Sequence, residues 1–169
     1  MYSAGQVVRY GTHGICSVAE ITTKKIGADQ IQYYVLKPVS QESATIFVPV
    51  ENKKLTERMQ RLLNAEEIME IIGGMSDDHL MWIDEDMKRR DAYNEILRGG
   101  DRASMARMIK TLFLRQQELA QKRKKLHIAD EKILKEAERV LYEEFAYVLG
   151  IDQKEVLPFI CKTLGAEEM

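Results

Sequence analysis

The chain has 169 residues, 45% of them hydrophobic and 31% charged, and a net charge of −2 at neutral pH. This is an ordinary soluble balance with room for one or two small domains. No stretch approaches the ~20 consecutive apolar residues that span a bilayer. The opening Met1-Tyr2-Ser3-Ala4-Gly5 lacks the basic-then-apolar pattern of a secretory leader, so a cytoplasmic protein is expected.

The first fifty residues read as short strands. Gln6 to Tyr10 is β-prone, Gly11-Thr12-His13-Gly14 is a turn cluster, and Ile15 to Ile21 alternates loosely. That alternation places Ile15, Ser17, Ala19 and Ile21 on one face and Cys16, Val18 and Glu20 on the other. A turn at Gly27-Ala28-Asp29 leads into Ile31 to Leu36, the clearest strand, rich in aromatic and β-branched residues. Gln41 to Ser43 is a polar turn. Ala44 to Val50 is the last strand, and Pro49, which has no N–H to donate, belongs at its edge or end. Such strands and turns predict a small SH3- or Tudor-like β barrel over residues 1–55.

From Asn52 onward the period is helical. Asn64 and Glu67 have capping-box spacing, ahead of a helix that Gly73-Gly74 stops. Ser76-Asp77-Asp78 is a loop. A second helix is predicted from about Leu80 to Arg98, ending at Gly99-Gly100. Asp101 is the expected cap of a third, with Met105, Met108, Ile109, Leu112 and Leu119 at helical spacing and Lys122 to Lys125 at its end. Asp130 is the expected cap of a fourth, whose stripe runs from Ile133 to Leu149, and Asp152 that of a last short one. Strands followed by helices mean α+β, here a β domain over 1–55 and an all-α helical bundle over 56–169.

Charge is distributed unevenly. Residues 1–55 carry net +2, 56–85 net −6, 86–125 net +7 and 128–169 net −5. Screening confines each charge to ~10 Å, so the basic middle can attract phosphate although the whole chain is acidic. Candidate phosphate contacts are Lys88, Arg89, Arg90, Arg98, Arg102, Arg107 and Lys110, with ordinary surface charge as the alternative for any single one. Arg107 and Lys110 lie three apart and share a face. Lys122 to Lys125 either adds to the patch or solvates a helix end.

No catalytic constellation stands out. A Gly-rich phosphate loop and a nucleophile elbow are both missing. Asp84-Glu85-Asp86 and Glu143-Glu144 read as solvated carboxylates, since successive helical residues point about 100° apart. Cys16 and Cys161 read as free thiols, and neither they nor the scattered histidines have metal-ligand spacing. A binding protein is expected, with no enzyme activity, no metal, no cofactor and no small-molecule ligand.

Several motifs share an order and spacing. Gly5 to Gly14 resembles the G-D-x-V-x-Y-x-x-H-G opening of the CarD/CdnL family. Tyr33 to Lys37 resembles its Y-x-x-L strand, and Val48-Pro49-Val50-Glu51-Asn52 its V-P-x-x-N strand end. Arg89-Arg90 through Ile96 to Asp101 is similar to its R-R…L…S-G-D segment, and Thr111-Leu112-Phe113 and Asp130 through Ala137 fit as well. The resemblance covers nearly the whole chain. The family shares its N-terminal module with the transcription-repair coupling factor.

The resemblance implies that the β domain docks on the β subunit of bacterial RNA polymerase. The helical domain would contact promoter DNA without reading sequence, at the upstream edge of the melted region, and stabilise the open complex. Lys24 and Lys25 occupy the region where the family places polymerase-facing basic residues, or else form a solvated turn. Phe47 stands where the family often has Arg, and Pro49 closes the same strand. Many members wedge a Trp into the minor groove. That position falls near Asp86, whereas the only Trp here is Trp82, which is either a displaced wedge or core packed with Leu80 and Met81. The protein is expected to be a monomer, with a domain-swapped dimer conceivable, and to reach the nucleoid through polymerase. The competing expectation is a protein-only adaptor whose helices bind a second protein.

Overall fold

The computed structural model describes residues 1–41, 43–76 and 81–165. The chain divides into two compact units, residues 1–62 and 63–169. The first therefore extends past the boundary at 55 read from the sequence. Parts of three sequence expectations, the turn at Gln41 to Ser43, the Asp77-Asp78 loop and the helix start at Leu80, lie outside the described residues.

The first unit is an antiparallel sheet of five strands: β1 (Val7–Tyr10), β2 (Ile15–Ile26), β3 (Asp29–Pro38), β4 (Ile46–Pro49) and β5 (Met59–Arg61). Their order is β4-β3-β2-β1-β5, with β4 and β5 at the edges, so among the described residues the sheet does not close into the expected SH3- or Tudor-like barrel. The long β2–β3 hairpin dominates, and Gly27, at φ 64, makes its turn in a conformation that side chains disfavour. The loose alternation in β2 has a specific cause. A bulge between Val18 and Glu20 shifts the register, so that Val18 opposes Leu36 while Ile21 opposes Tyr34. Val18 and Ile21 thus share the inner face, three residues apart, whereas the alternation read from the sequence put them on opposite faces.

The inner face holds Val8, Tyr10, Cys16, Val18, Tyr34, Leu36, Val48 and Met59 as one apolar cluster. Helical character after Asn52 lasts a single turn, α1 (Lys53–Thr56), with the Asn52 side chain accepting from the Leu55 N–H. The chain then returns as β5, whose Met59 opposes Tyr10 of β1 and is 3% exposed. Three residues are too few to show a period, which is why the sequence hid this strand.

The second unit is helical: α2 (Ala65–Gly74), α3 (Asp86–Gly99), α4 (Arg102–Gln121), α5 (Ile128–Leu149) and α6 (Val156–Leu164). Asn64 and Glu67 form the predicted reciprocal capping box at 2.8 and 3.1 Å. The buried stripe of α4 is Met105, Met108, Ile109 and Leu112; that of α5 includes Ile133, Leu134, Ala137, Val140, Leu141 and Phe145. With Ile68, Ile72, Tyr93, Leu97, Val156 and Ile160 they form one core.

Two caps differ from expectation. Asp101 precedes α4, but its carboxylate accepts from the Ser104 hydroxyl at 2.6 Å and no backbone N–H. Asp130 caps nothing: α5 begins at Ile128, and Asp130 is fully buried in its first turn. Asp152 caps the last helical segment as expected: it opens the 3-10 turn that leads into α6 in a reciprocal capping box, with Glu155 accepting from its N–H at 3.0 Å. Among the described residues no helix is long and apolar enough to cross a membrane.

Candidate nucleic-acid interface

Helix α3 begins at Asp86, so Trp82 lies on the irregular segment ahead of it and not on a helix. That segment is tied down at both of its faces. The Met81 N–H donates to the Thr111 hydroxyl at 3.0 Å, and the Met81 carbonyl accepts from the Tyr93 hydroxyl at 2.7 Å. Burial of Tyr93 pushes its hydroxyl up to about 12, so it remains a donor throughout the physiological range.

Arg89 is the hub of this region. It is 1% exposed, and its Nε and Nη2 donate to Asp130 Oδ1 and Oδ2 at 3.1 and 2.7 Å. Nη2 also reaches Asp86 Oδ1 at 2.9 Å, and Nη1 reaches the Ile83 carbonyl at 2.9 Å. The hydrogen bond from Arg89 holds Asp86 below the usual carboxylate range, and that with Asp130 raises Arg89 itself. The guanidinium sits 4.3 Å from the centre of the Trp82 ring, and that of Arg115 sits 4.9 Å from it. The indole N–H donates to Asp84 Oδ1 at 3.1 Å. Trp82 is half-buried against the helical core and still faces a cleft. Its alternatives, wedge or core, thus resolve into a residue packed on one side and open on the other. The Leu80 contact lies outside the described residues.

The seven basic positions singled out from the sequence do not converge. Arg89 is internal, and so is Arg102. The latter's Nε and Nη2 meet Glu144 Oε1 and Oε2, both at 3.0 Å, where Glu144 is 0% exposed. Neither guanidinium faces solvent to hold a phosphate. Lys88 is exposed but 3.1 Å from Glu85. Arg90 is half-buried, and Arg98 is exposed near the end of α3. Arg107 is exposed beside Glu70 and Ile71 of α2, whereas Lys110 lines a separate apolar hollow with Phe113 and Tyr142.

A different group of basic residues shares one cleft. An open cleft of about 480 Å³ is lined by Trp82, Arg115, Lys124, Lys125 and His127. The cleft also holds Asp84, Asp86 and Asp130, but each of these carboxylates already accepts from Trp82 or Arg89. Among the described residues Lys124 and Lys125 have no carboxylate partner, and Lys122 and Arg115 share Glu118 at 3.8 and 3.2 Å. The charge run 122–125 was visible in the sequence as a helix end. Arg115 and His127 carried no local signal, because only the packing of α4 against the α5 start brings them to Trp82.

The turn that carries these lysines is conformationally unusual. Helices α3, α5 and α6 end on Gly100, Gly150 and Gly165, all left-handed. Helix α4 ends with Arg123 in that role, at φ 57, the only non-glycine residue with positive φ among the described residues. A side chain there costs about 1 kcal/mol against glycine. Arg123→Gly is therefore expected to stabilise the helical unit by about 0.5–1 kcal/mol in urea unfolding. A variant that lost stability would show that Arg123 is held there by packing.

The polymerase-facing candidates lie on the sheet. Lys24 opposes Ile31, Phe47 opposes Val35 and Pro49 opposes Tyr33, so Lys24, Phe47 and Pro49 share one face and Lys25 points to the other. The Lys24 ammonium lies 3.7 Å over the Phe47 ring, and Tyr33 meets that ring edge-on at 6.1 Å. Phe47 remains 44% exposed at an edge strand. The Phe at this position has therefore built an aromatic patch topped by a cation.

Both units match known families. Residues 2–63 match the family model described as the CarD-like/TRCF RID domain, and residues 67–160 match that described as the CarD C-terminal domain.

Proposed function

Since this chain belongs to the CarD-like family of transcription-related proteins that interact with RNA polymerase, we propose that it docks on the polymerase β subunit and steadies the promoter open complex. On this reading it is a binding protein and not an enzyme. The sheet unit supplies the grip, through Phe47, Tyr33, Lys24 and Pro49. A half-exposed aromatic ring capped by a cation offers apolar burial and charge at one point, the composition of an interface anchor.

The helical unit supplies the DNA contact. The observation that carries this is the cleft that Trp82, Arg115, Lys124 and Lys125 line together, in which Asp86 and Asp130 are engaged by Arg89 and Asp84 accepts from the indole. Lysine and arginine contacts of this kind hold phosphates without reading sequence. A protein that binds the melted promoter more tightly than the closed one shifts the population toward melting by that difference in affinity. Tethering to polymerase raises the local concentration of promoter DNA, so that a small positive area suffices.

Phe47→Ala is expected to weaken binding of purified polymerase about tenfold or more while leaving salt-dependent binding to forked promoter DNA unchanged. Equal polymerase affinity in wild type and variant would remove the sheet patch from the proposal. If forked DNA does not bind even at low salt, the helical unit is instead the second arm of a protein-only adaptor.

A further inference from the structure

A second hollow lies among the helices and shares no lining residue with the Trp82 cleft. It has a volume of about 250 Å³ and is lined from the end of α2 and from α4, α5 and α6. Ile109 and Ile160 are buried there, while Phe113, Leu114, Leu157 and Leu164 are only half-buried. An apolar cavity of roughly 150 Å³ already holds a benzene ring, and drug-sized ligands occupy ~300–1,000 Å³. The hollow is therefore the size of a single ring with a short substituent. We propose that it binds a small uncharged cyclic molecule carrying one hydrogen-bond acceptor, with the Tyr142 hydroxyl as donor. Such a site goes beyond the contacts to polymerase and DNA. The sequence gives no sign of a small-molecule ligand because the lining is assembled from four separate helices.

Tyr142 sets the chemistry of the site. It is 9% exposed and lines the hollow, and among the described residues its hydroxyl has no hydrogen-bond partner. The other buried tyrosine of this unit, Tyr93, donates to the Met81 carbonyl. A buried hydroxyl with no acceptor is unfavourable, so the position favours a molecule that brings one. Burial and the Glu138 carboxylate, one helical turn away, both push the Tyr142 hydroxyl far up, so it keeps its proton and can donate it. Glu138 also bears on the charge of the ligand. A carboxylate acting on the hydroxyl disfavours an anion there, and Lys110, the only cation among the described lining residues, disfavours a cation. A carbonyl or ether oxygen meets neither objection, and a ring beside it fills the apolar remainder.

The test titrates the full-length chain with three probes of nearly one shape, acetophenone, ethylbenzene and benzoate, and follows backbone amide resonances by NMR. Acetophenone is expected to shift the amides of Ile109, Phe113, Leu157 and Ile160 and to bind with a Kd of about 1 mM or tighter. Benzoate should bind at least about tenfold more weakly, because its charge must be buried. Tyr142→Phe removes only a hydroxyl that has no partner in the fold, so the variant should keep its stability. It is expected to lower acetophenone affinity about fivefold and to leave that of ethylbenzene within about twofold. Leu114→Trp, at a half-buried lining position, should block both probes. Acetophenone should also raise the urea midpoint of the wild-type chain and not that of the Leu114→Trp chain. Equal losses for acetophenone and ethylbenzene in Tyr142→Phe would overturn the assignment of the donor, and binding that survives Leu114→Trp would lie outside the hollow. Benzoate as the tightest probe would make this an anion site on Lys110 and overturn the uncharged class. Amide shifts that follow protein concentration instead of added probe would show a second copy of the chain covering the hollow. That result, or no shift with any probe up to its solubility, would overturn the proposal.

Discussion

Asp130→Ala is expected to destabilise the helical unit by about 3–5 kcal/mol. Arg89 would be left 1% exposed with its charge intact and both hydrogen bonds to Asp130 gone. Asp86, half exposed at 51%, still meets one nitrogen but cannot replace a carboxylate buried beside the guanidinium. Urea unfolding followed by far-ultraviolet circular dichroism gives the loss, and Trp82 fluorescence gives its location, because Arg89 lies against that ring. A loss of less than about 1 kcal/mol, the range of an exposed ion pair, would mean that water reaches Arg89 and that the pair is not a buried one.

The pair also has a geometric role that stability alone does not explain. Two apolar side chains of similar volume would often fill such a site at no net cost. They could not hold the Ile83 carbonyl, the Asp86 carboxylate and the Trp82 ring at once, as the Arg89 guanidinium does. Arg89 thus positions the segment 81–86 from within, with Met81 fixed by Thr111 and Tyr93 at the other end. A residue that the sequence offers as a surface phosphate contact acts on the cleft through its floor.

Local signals were legible in the sequence, and non-local ones were not. The Asn64–Glu67 capping box spans four residues, and the stripes of α4 and α5 follow from spacing along one helix, so each could be read directly. The division into strands and then helices was equally plain. Strand β5 escaped because three residues show no period, and the inner face of β2 escaped because its bulge breaks one. The start of α3 was placed too early because Met81 and Trp82 continue an apolar pattern, although tertiary hydrogen bonds hold that stretch irregular.

The charge count failed for a related reason. The net +7 of residues 86–125 includes Arg89 and Arg102, whose partners Asp130 and Glu144 belong to the acidic segment 128–169. Pairing across 41 and 42 residues of sequence removes two cations from the surface and two carboxylates with them. The positive area that survives is the turn 122–125, which the sequence displayed as a simple run, beside a tryptophan that lies about forty residues earlier.

Glu144→Gln is expected to cost about 3 kcal/mol, although it changes neither shape nor volume. Glu144 is fully buried and surrounded by donors: Oε1 accepts from Arg102 Nε, and Oε2 accepts from Arg102 Nη2 and from the Leu63 N–H, all at 3.0 Å. An amide must place an NH2 where one of these oxygens stood, so it opposes either the Arg102 Nε–H or both the Nη2–H and the backbone N–H. It also withdraws the negative charge from a guanidinium that is only 12% exposed. Leu63 is the first residue of the helical unit, so the loss should appear there first, as faster amide hydrogen exchange at Leu63 under conditions where the core of α5 remains protected. If Leu63 kept its protection in the Gln variant, its N–H would have another acceptor and Glu144 would be a partner of Arg102 alone. If global stability were also unchanged, the buried Arg102–Glu144 pair would contribute nothing net to the fold.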